Sequence, residues 1–307
     1  MKADREIQPK RSKKLLLIIN PVSGKGLGKK YTFGLVSFFT REGFLVTVHP
    51  TEAEAKSNVD FIEKNVANYD LIVCCGGDGT LNESISGIMK SKSNVPMGYI
   101  PLGTTNDFAK TLGISTSPLE AASSIIKSKI KKIDCGLFNG KTFVYVAAIG
   151  AFTQASYGAS PAEKRYLGTL AYVLKGIESL ATLKPFHLKA KINNEIIEGN
   201  YLYASVSNTT SLGGFFKLDP SKVKIDDGIF EVVLIKAPDN LTEKGKLVTG
   251  LLTESLNSEY VDLFYTSDIK IKLDSPMAWS LDGENGGEHK DIIIKNLSGS
   301  INMLGIK

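Results

Sequence analysis

The sequence predicts an α/β domain with an open parallel sheet over residues 1–135, followed by a β-sandwich-like domain over residues 136–298. Three observations carry this expectation. Through about residue 130, short apolar runs alternate with stretches of helical periodicity, the pattern of a parallel sheet with crossover helices. Three of those runs end in polar, glycine-bearing loops, Asn20 to Gly28, Gly76 to Thr80 and Gly103 to Asp107, which a parallel sheet gathers on one edge. Beyond residue 130, strand follows strand through short turns, which is the pattern of an antiparallel sandwich or barrel. A chain of 307 residues is long enough for both cores.

Basic residues between Met1 and Lys14 read as a solvated tail entering a first strand, Lys13 to Asn20; Asn20-Pro21 ends the apolar run too soon for a signal-peptide core. The loop from Asn20 to Lys30 precedes a helix bearing apolar Leu35, Phe38 and Phe39. It fails the dinucleotide fingerprint, which requires glycine where Lys29 stands, and it fails the Walker loop. Gly43 to Pro50 is the next strand, and Thr51-Glu52-Ala53-Glu54 has the spacing of a capping box opening a helix with Val59, Ile62 and Val66 on one face. Leu71 to Cys75 reads as a buried strand, which makes Gly76 to Thr80 a strand-to-helix loop. Its glycines admit conformations closed to other residues and let a ligand approach the backbone, beside the unpaired N–H groups of a helix start. An aspartate there would repel phosphate, so Asp78 implies Mg²⁺ or a proton-accepting role; the same loop also reads as a plain glycine turn. Val95 to Leu102 supplies the fourth strand.

In the second half, Ile130 to Phe138 and Thr142 to Ile149 form a hairpin about Asn139-Gly140. Ser160-Pro161-Ala162-Glu163 opens a predicted helix reaching about Leu183. Strands follow at Phe186 to Ile192, Tyr201 to Ser207, Ile229 to Ile235, Val261 to Tyr265, Asp268 to Leu273, Met277 to Leu281 and Ile292 to Lys295, with a turn at Asn193-Asn194 and a helix near Asn240 to Leu256.

With 42% apolar and 22% charged residues the composition is that of a soluble globular protein, and no apolar run approaches the ~18 residues of a membrane span. Three cysteines, two of them adjacent in a core strand, read as buried hydrophobes in a reducing compartment. His49, His187 and His289 lack zinc-ligand spacing, and Trp279 reads as core. The net charge of +5 is mild. Lysine clusters near Lys10 and Lys127 read as solvated faces or as contacts to an anionic surface, and no nucleic-acid module accompanies them.

The ordered set Asn20-Pro21-Val22-Ser23-Gly24, Thr51, Gly76-Gly77-Asp78-Gly79-Thr80-Leu81-Asn82-Glu83, Pro101 to Ala109, Asp227-Gly228 and Leu281-Asp282-Gly283-Glu284 resembles the diacylglycerol kinase catalytic family. The soluble bacterial diacylglycerol and lipid kinases are most similar, with sphingosine and ceramide kinases related. The short Gly-Gly-Asp-Gly motif is shared with NAD kinases and phosphofructokinases, whereas the ordered set spans essentially the whole chain. The resemblance implies an N-terminal nucleotide-binding domain, rejoined by residues 299–307, a β-rich lipid-substrate domain, and ATP held between them. It implies ATP contacts from Asn20, Pro21, Val22, Ser23, Gly24, Thr51, Gly76, Gly77, Asp78, Gly79, Thr80, Leu81, Asn82 and Thr104. Asp78 and Asp107 would organise the Mg²⁺-nucleotide, Glu284 would act as general base, and Lys224, Asp227 and Ile229 would form a structural metal site.

Phosphoryl transfer asks a protein for positioning and charge neutralisation, and a lipid alcohol needs a base for its proton. The implied reaction is Mg²⁺-dependent transfer from ATP to a lipid hydroxyl, diacylglycerol foremost, by a cytoplasmic enzyme in peripheral contact with the inner face of the membrane through charge and apolar residues around the cleft. A homodimer is a family expectation. A sphingoid lipid, phosphatidylglycerol or a soluble NAD-like acceptor remain alternatives, as does a nucleotide-binding regulator without turnover.

Overall fold

The structure, a computed structural model, describes residues 12–104, 106–150, 184–212, 216–219, 221–240, 242–244, 246–247 and 259–306. The chain divides into two compact units, Met1–Thr104 with Ile114–Ile130 and Met303–Lys307, and Thr105–Gly113 with Lys131–Asn302.

The first unit is a parallel sheet with helices. Strands β1 (Lys13–Ile19), β2 (Phe44–Pro50), β3 (Leu71–Gly76) and β4 (Met97–Pro101) lie in the order β2–β1–β3–β4. Met303 and Leu304, the end of the chain's last strand, extend the sheet in parallel beside Met97 and Gly98. Helices α1 (Ser23–Arg41), α2 (Ala55–Asn65) and α3 (Asp78–Ser91) make the crossovers. Leu15–Ile19 and all of β3 are buried, which is why both strands read as unbroken apolar runs and not as alternations. The chain steps outward from β1 to β2 and then returns past β1 to β3, so the strand order reverses between β1 and β3. Open α/β sheets bind ligands beyond the carboxyl ends of the strands at such a reversal.

Two local expectations change. The Thr51 capping box does not form: α2 starts at Ala55 after Glu54, with no side-chain cap. Buried Asn58 instead binds both backbone groups of Glu52, accepting its N–H at 2.8 Å and donating to its carbonyl at 3.0 Å. The helix Pro118–Lys127 adds to the expected elements, and Ser117-Pro118-Leu119-Glu120 carries its start signal, with proline in the first turn.

Among the described residues the strands of the second unit pair antiparallel with one another, and the unit also holds the five-residue helix α4 (Asp107–Thr111); α5 is the Pro118–Lys127 helix of the first unit. Strand β5 (Lys131–Phe138) turns at Asn139-Gly140, both at positive φ, into β6 (Lys141–Phe143), and β7 (Val146–Gly150) follows. Next come β8 (Phe186–Ile192), β9 (Glu195–Ser207), β10 (Ser211–Leu212), β11 (Phe216–Lys217), β12 (Phe230–Lys236), β13 (Val261–Thr266), β14 (Asp268–Leu281) and β15 (Glu284–Leu304). The main order is β13–β12–β9–β7–β14–β15, and β8 bridges β9 and β14. Strand β14 spans two of the expected strands, with its register shifting between Lys272 and Met277 around Pro276, which has no N–H for the ladder.

Burial divides this unit's strands into two kinds. Tyr201–Ser207 and Phe230–Ile235 are buried at every residue, because one face packs on the cluster around Trp279, Phe138 and Phe230 and the other on that around Tyr203, Val233 and Ile235. By contrast β8 and the first half of β14 alternate buried and exposed, so one face meets solvent. The predicted helix from Ser160 to Leu183 lies outside the described residues, as does most of the one near Asn240 to Leu256. Among the described residues no helix is long and apolar enough to cross a membrane. The three cysteines are buried, and burial pushes the Cys74 thiol up to about 12, so they pack as small hydrophobes.

Candidate active site

At the carboxyl edge of the parallel sheet the three glycine-bearing loops are tied backbone to backbone. Asn20 donates its N–H to the Cys75 carbonyl at 2.9 Å, and Thr51 donates to Ile19 at 2.9 Å. The Gly76 carbonyl takes three donors: the N–H of Leu102 at 2.7 Å, that of Gly103 at 3.2 Å, and the buried hydroxyl of Tyr99 at 3.2 Å. Asn20 reaches across the strand reversal, its amide donating to Thr80 Oγ1 at 3.3 Å while its Oδ1 accepts from Val22 N–H at 3.1 Å. This places Asn20, Thr51, Gly76, Gly77 and Thr80 together, with Thr104 exposed just past Gly103.

Helix α3 begins at Asp78, so Asp78, Gly79, Thr80, Leu81 and Asn82 stand in its first turns and not in a longer loop. Its first N–H groups have no intrahelical acceptor and face the edge. The glycines here serve close approach and not unusual dihedrals: neither Gly76, Gly77 nor Gly79 has positive φ. A Cβ on Gly76 would stand 2.5 Å from Thr80 Oγ1, and one on Gly77 would stand 3.4 Å from the Gly103 Cα. Positive φ appears instead at Gly24, Lys25 and Gly26, three residues in succession that form a non-helical break near the start of α1, just after Pro21, exposed Val22 and buried Ser23. A Cβ on Gly24 would lie 2.2 Å from the Leu102 carbonyl, and one on Gly28 would lie 2.0 Å from that of Asn20. Gly28→Ala therefore displaces the Asn20-Pro21 loop. The expected result is a loss of stability of about 1–3 kcal/mol, as for other overpacked sites, with weaker nucleotide binding, read by thermal melts with and without ATP. An unchanged melt would show that the loop yields freely.

Glu83 closes this edge from behind. Its carboxylate accepts from Asn58 Nδ2 at 2.9 Å, so the α3 start and the Thr51 loop are held through one buried amide.

In the second unit, the turn Asp282-Gly283 is left-handed at both residues and presents exposed Glu284. Asp282 itself is 4% exposed, and its carboxylate accepts three backbone N–H bonds, from Val144 at 2.6 Å, Tyr145 at 2.9 Å and Val146 at 3.0 Å. Those bonds fill the gap between β6 and β7 where the expected strand breaks. Tyr145 stacks on Phe108 of α4, ring centroids 5.7 Å apart, so the helix carrying Asp107 rests on the residue held by the Glu284 turn. Asp107 pairs with Lys110 at 2.9 Å.

A second buried carboxylate organises the other predicted loop. Asp134, fully buried, accepts from Gly228 N–H at 2.6 Å, Gly299 N–H at 2.7 Å and Asn296 Nδ2 at 3.4 Å, and its own N–H donates to the Ile225 carbonyl at 2.8 Å. It fixes the Ile225–Gly228 segment in which Asp227 stands. Asp227 is exposed and accepts from Ile229 N–H at 3.0 Å, an Asx turn. Among the described residues no cluster of three or more His, Cys, Asp or Glu side chains could hold a metal, so a cation at Lys224, Asp227 and Ile229 would use carbonyls, carboxylate oxygen and water. That all-oxygen donor set fits a hard cation.

Sequence reading missed Asp282 and Asp134 as functional supports. The signal available was a lone acid inside each apolar stretch, Ile133-Asp134-Cys135 and Leu281-Asp282.

The profile of the diacylglycerol kinase catalytic domain matches residues 14–138, and that of the YegS C-terminal NAD kinase beta sandwich-like domain matches residues 148–298. A diacylglycerol kinase from Bacillus subtilis (strain 168) is 34% identical over 277 residues, 90% of this chain and 91% of that protein. The chain belongs to the diacylglycerol kinase family. A diacylglycerol kinase from Staphylococcus saprophyticus is 32% identical over 278 residues, 90% of each chain. A crystal structure from Bacillus anthracis str. Sterne superposes with a TM-score of 0.78 at 25% identity, covering 96% of this chain and 98% of that one. The fold is thus that of the family, an N-terminal α/β domain with a C-terminal β-rich domain, and the protein is a kinase.

One buried acid of this diacylglycerol kinase family member lies outside these arrangements. Glu231, on β12 opposite Ser207 and Tyr265, is 2% exposed, and its Oε2 has no hydrogen-bond partner among the described residues. Burial foremost, with the nearby charge of Asp227, pushes its carboxyl from 4.5 up to about 8. The unfolded chain then releases this proton first, so stability is full below pH 4.5, falls as pH rises toward about 8, and levels off above. Glu231→Gln is expected to remove that slope, melting higher than the natural chain at about pH 9 and alike at about pH 4. Parallel melting curves across this range would mean the carboxyl is already ionised in the fold.

Proposed function

We propose that this kinase transfers the γ-phosphoryl group of ATP to a lipid hydroxyl, with diacylglycerol as acceptor and phosphatidic acid as product. The observation that carries the reading is the convergence of the Asn20, Gly76 and Gly103 loops on the strand reversal, where the start of α3 suits a phosphate chain. Asn20 to Gly24, Thr51, Gly76 to Asn82 and Thr104 then hold the nucleotide. Asp78 and Asp107 would hold Mg²⁺, which supplies charge neutralisation at the phosphate oxygens. Lys224, Asp227 and Ile229 would hold a second, structural cation.

Glu284 accepts the hydroxyl proton as the acceptor oxygen bonds to the γ-phosphorus. The bond from that phosphorus to the bridging oxygen breaks, and ADP leaves with the electron pair. The Asp282 turn fixes the direction of Glu284 without burying it, which suits a base that meets an acceptor from outside.

The test is transfer of labelled γ-phosphate from ATP, with Mg²⁺, to detergent-dispersed diacylglycerol, a sphingoid base, phosphatidylglycerol and NAD. Labelled phosphatidic acid is the expected product. Label on another acceptor reassigns the substrate, and nucleotide binding with no labelled product from any acceptor or whole-cell lipid extract overturns the kinase reading in favour of a regulator.

A further inference from the structure

Glu284 opens β15, and the hairpin it forms with β14 holds one residue more than its ladder needs. Leu281 pairs with Glu284 and Ser280 with Asn285, but Trp279 pairs with Gly287, so Gly286 is an inserted residue, a β-bulge. Side chains alternate along an unbroken strand, and positions five apart would lie on opposite faces. The bulge instead puts Glu284 and His289 on one face, that of their partners Leu281 and Met277. Gly286 is buried, and its site has no room for a side chain: a Cβ would stand 2.9 Å from Leu281 Cγ and 3.0 Å from the Trp279 carbonyl oxygen.

The carbonyl of this bulge takes two donors, His289 Nε2 at 3.2 Å and Lys141 Nζ at 2.9 Å. Asn139 sets the direction of the first. Its Oδ1 accepts from Ile293 N–H at 2.8 Å, so its Nδ2 faces His289 Nδ1 at 3.3 Å as a donor, which leaves the ring proton on Nε2. Asn139 also donates its N–H to the Ile293 carbonyl at 3.0 Å and Nδ2 to the Asp291 carbonyl at 3.0 Å, fastening to β15 the left-handed turn that precedes Lys141. His289 alone satisfies the Gly286 carbonyl. Lys141 nevertheless reaches it from another hairpin, 145 positions away, and makes no ion pair among the described residues.

We propose that Lys141 is a positioning residue for phosphoryl transfer: it holds the Gly286 bulge so that Glu284, two residues earlier, keeps one direction toward the acceptor hydroxyl. The proposal rests on the reading of Glu284 as general base. An ammonium on a carbonyl is a charge-assisted bond, stronger than the neutral one from His289, and the two restrain the bulge from different strands. A reacting group displaced by about 1 Å loses up to about 10²-fold in rate.

The experiment is single-turnover transfer of labelled γ-phosphate to detergent-dispersed diacylglycerol by the natural chain, Lys141→Met, Glu284→Gln and the double variant, with Lys141→Arg beside them. Lys141→Met keeps the apolar stem and loses the donor. It is expected to lower turnover about 10- to 100-fold, with KM for ATP and the melting temperature unchanged because His289 still bonds Gly286. Lys141→Arg keeps a donor and should restore most of the turnover. In the Glu284→Gln background Lys141→Met should cost no more than about twofold, because no base is left to direct. If Glu284→Gln transfers at the natural rate, the base reading fails and the proposal with it. If Glu284→Gln is slow but Lys141→Met transfers like the natural chain, the proposal alone fails. Equal losses from Lys141→Met in both backgrounds would also overturn it, since Lys141 would then act independently of Glu284. A loss of turnover that follows a lowered melting temperature, and that arginine does not rescue, would assign Lys141 to stability and overturn it as well.

Discussion

Glu284→Gln is expected to lower the turnover number by about 10²- to 10⁴-fold, the usual contribution of a positioned general base, with nucleotide binding and melting temperature unchanged. The side chain is exposed at a turn held by its neighbour Asp282, and the isosteric amide leaves that turn in place. Glutamine keeps the shape and can hydrogen-bond the acceptor hydroxyl, yet it cannot take the proton. Single-turnover measurement of label transfer, beside ATP titration by calorimetry, separates chemistry from binding. Equal turnover in the two proteins would reduce Glu284 to a surface acid of the turn.

The second large effect is expected two residues earlier, in the same turn. Asp282→Ala strands the buried N–H groups of Val144 and Tyr145 and the half-buried one of Val146, and each unsatisfied buried group costs about 1–3 kcal/mol. The left-handed backbone at φ 52 adds strain for alanine. We expect a loss of roughly 3 kcal/mol or more, together with a fall in turnover, because the Glu284 turn and the Tyr145 ring beneath α4 both lose their anchor. Asp282→Gly separates the causes. It tolerates the dihedral but has no carboxylate, so it should be almost as unstable as alanine, while Asp282→Asn, which keeps one acceptor oxygen, should fall between. A glycine variant as stable as the natural chain would assign the effect to backbone strain alone.

These two residues also show how far the sequence reaches. Glu284 was legible because a motif places it next to Asp-Gly in a short turn, and a local pattern survives in a linear reading. The role of Asp282 was not legible, because its partners lie 136 to 138 positions away and only the pairing of β7 with β14 brings them there. Asp134 is similar: its partners at Gly228 and Gly299 are separated from it by 94 and 165 positions. The Thr51 capping box fails for the opposite reason. A local signal was present, but Thr51 N–H goes to the Ile19 carbonyl, and buried Asn58 binds the backbone of Glu52 from within the helix while itself held by Glu83 from another element.

Linear pattern was enough for the alternation of strands and helices in the first half, the turns at Asn139-Gly140 and Asn193-Asn194 and the glycine loops. All follow from side-chain periodicity and from the few residues that accept a left-handed backbone. The order β2–β1–β3–β4, and with it the reversal that joins Asn20 to Thr80, comes from long-range pairing. The same pairing sets which strands are buried on both faces and which turn one face to water. Strand order and two-sided burial depend on contacts between residues far apart in the chain, and no local propensity encodes which distant strand completes a ladder.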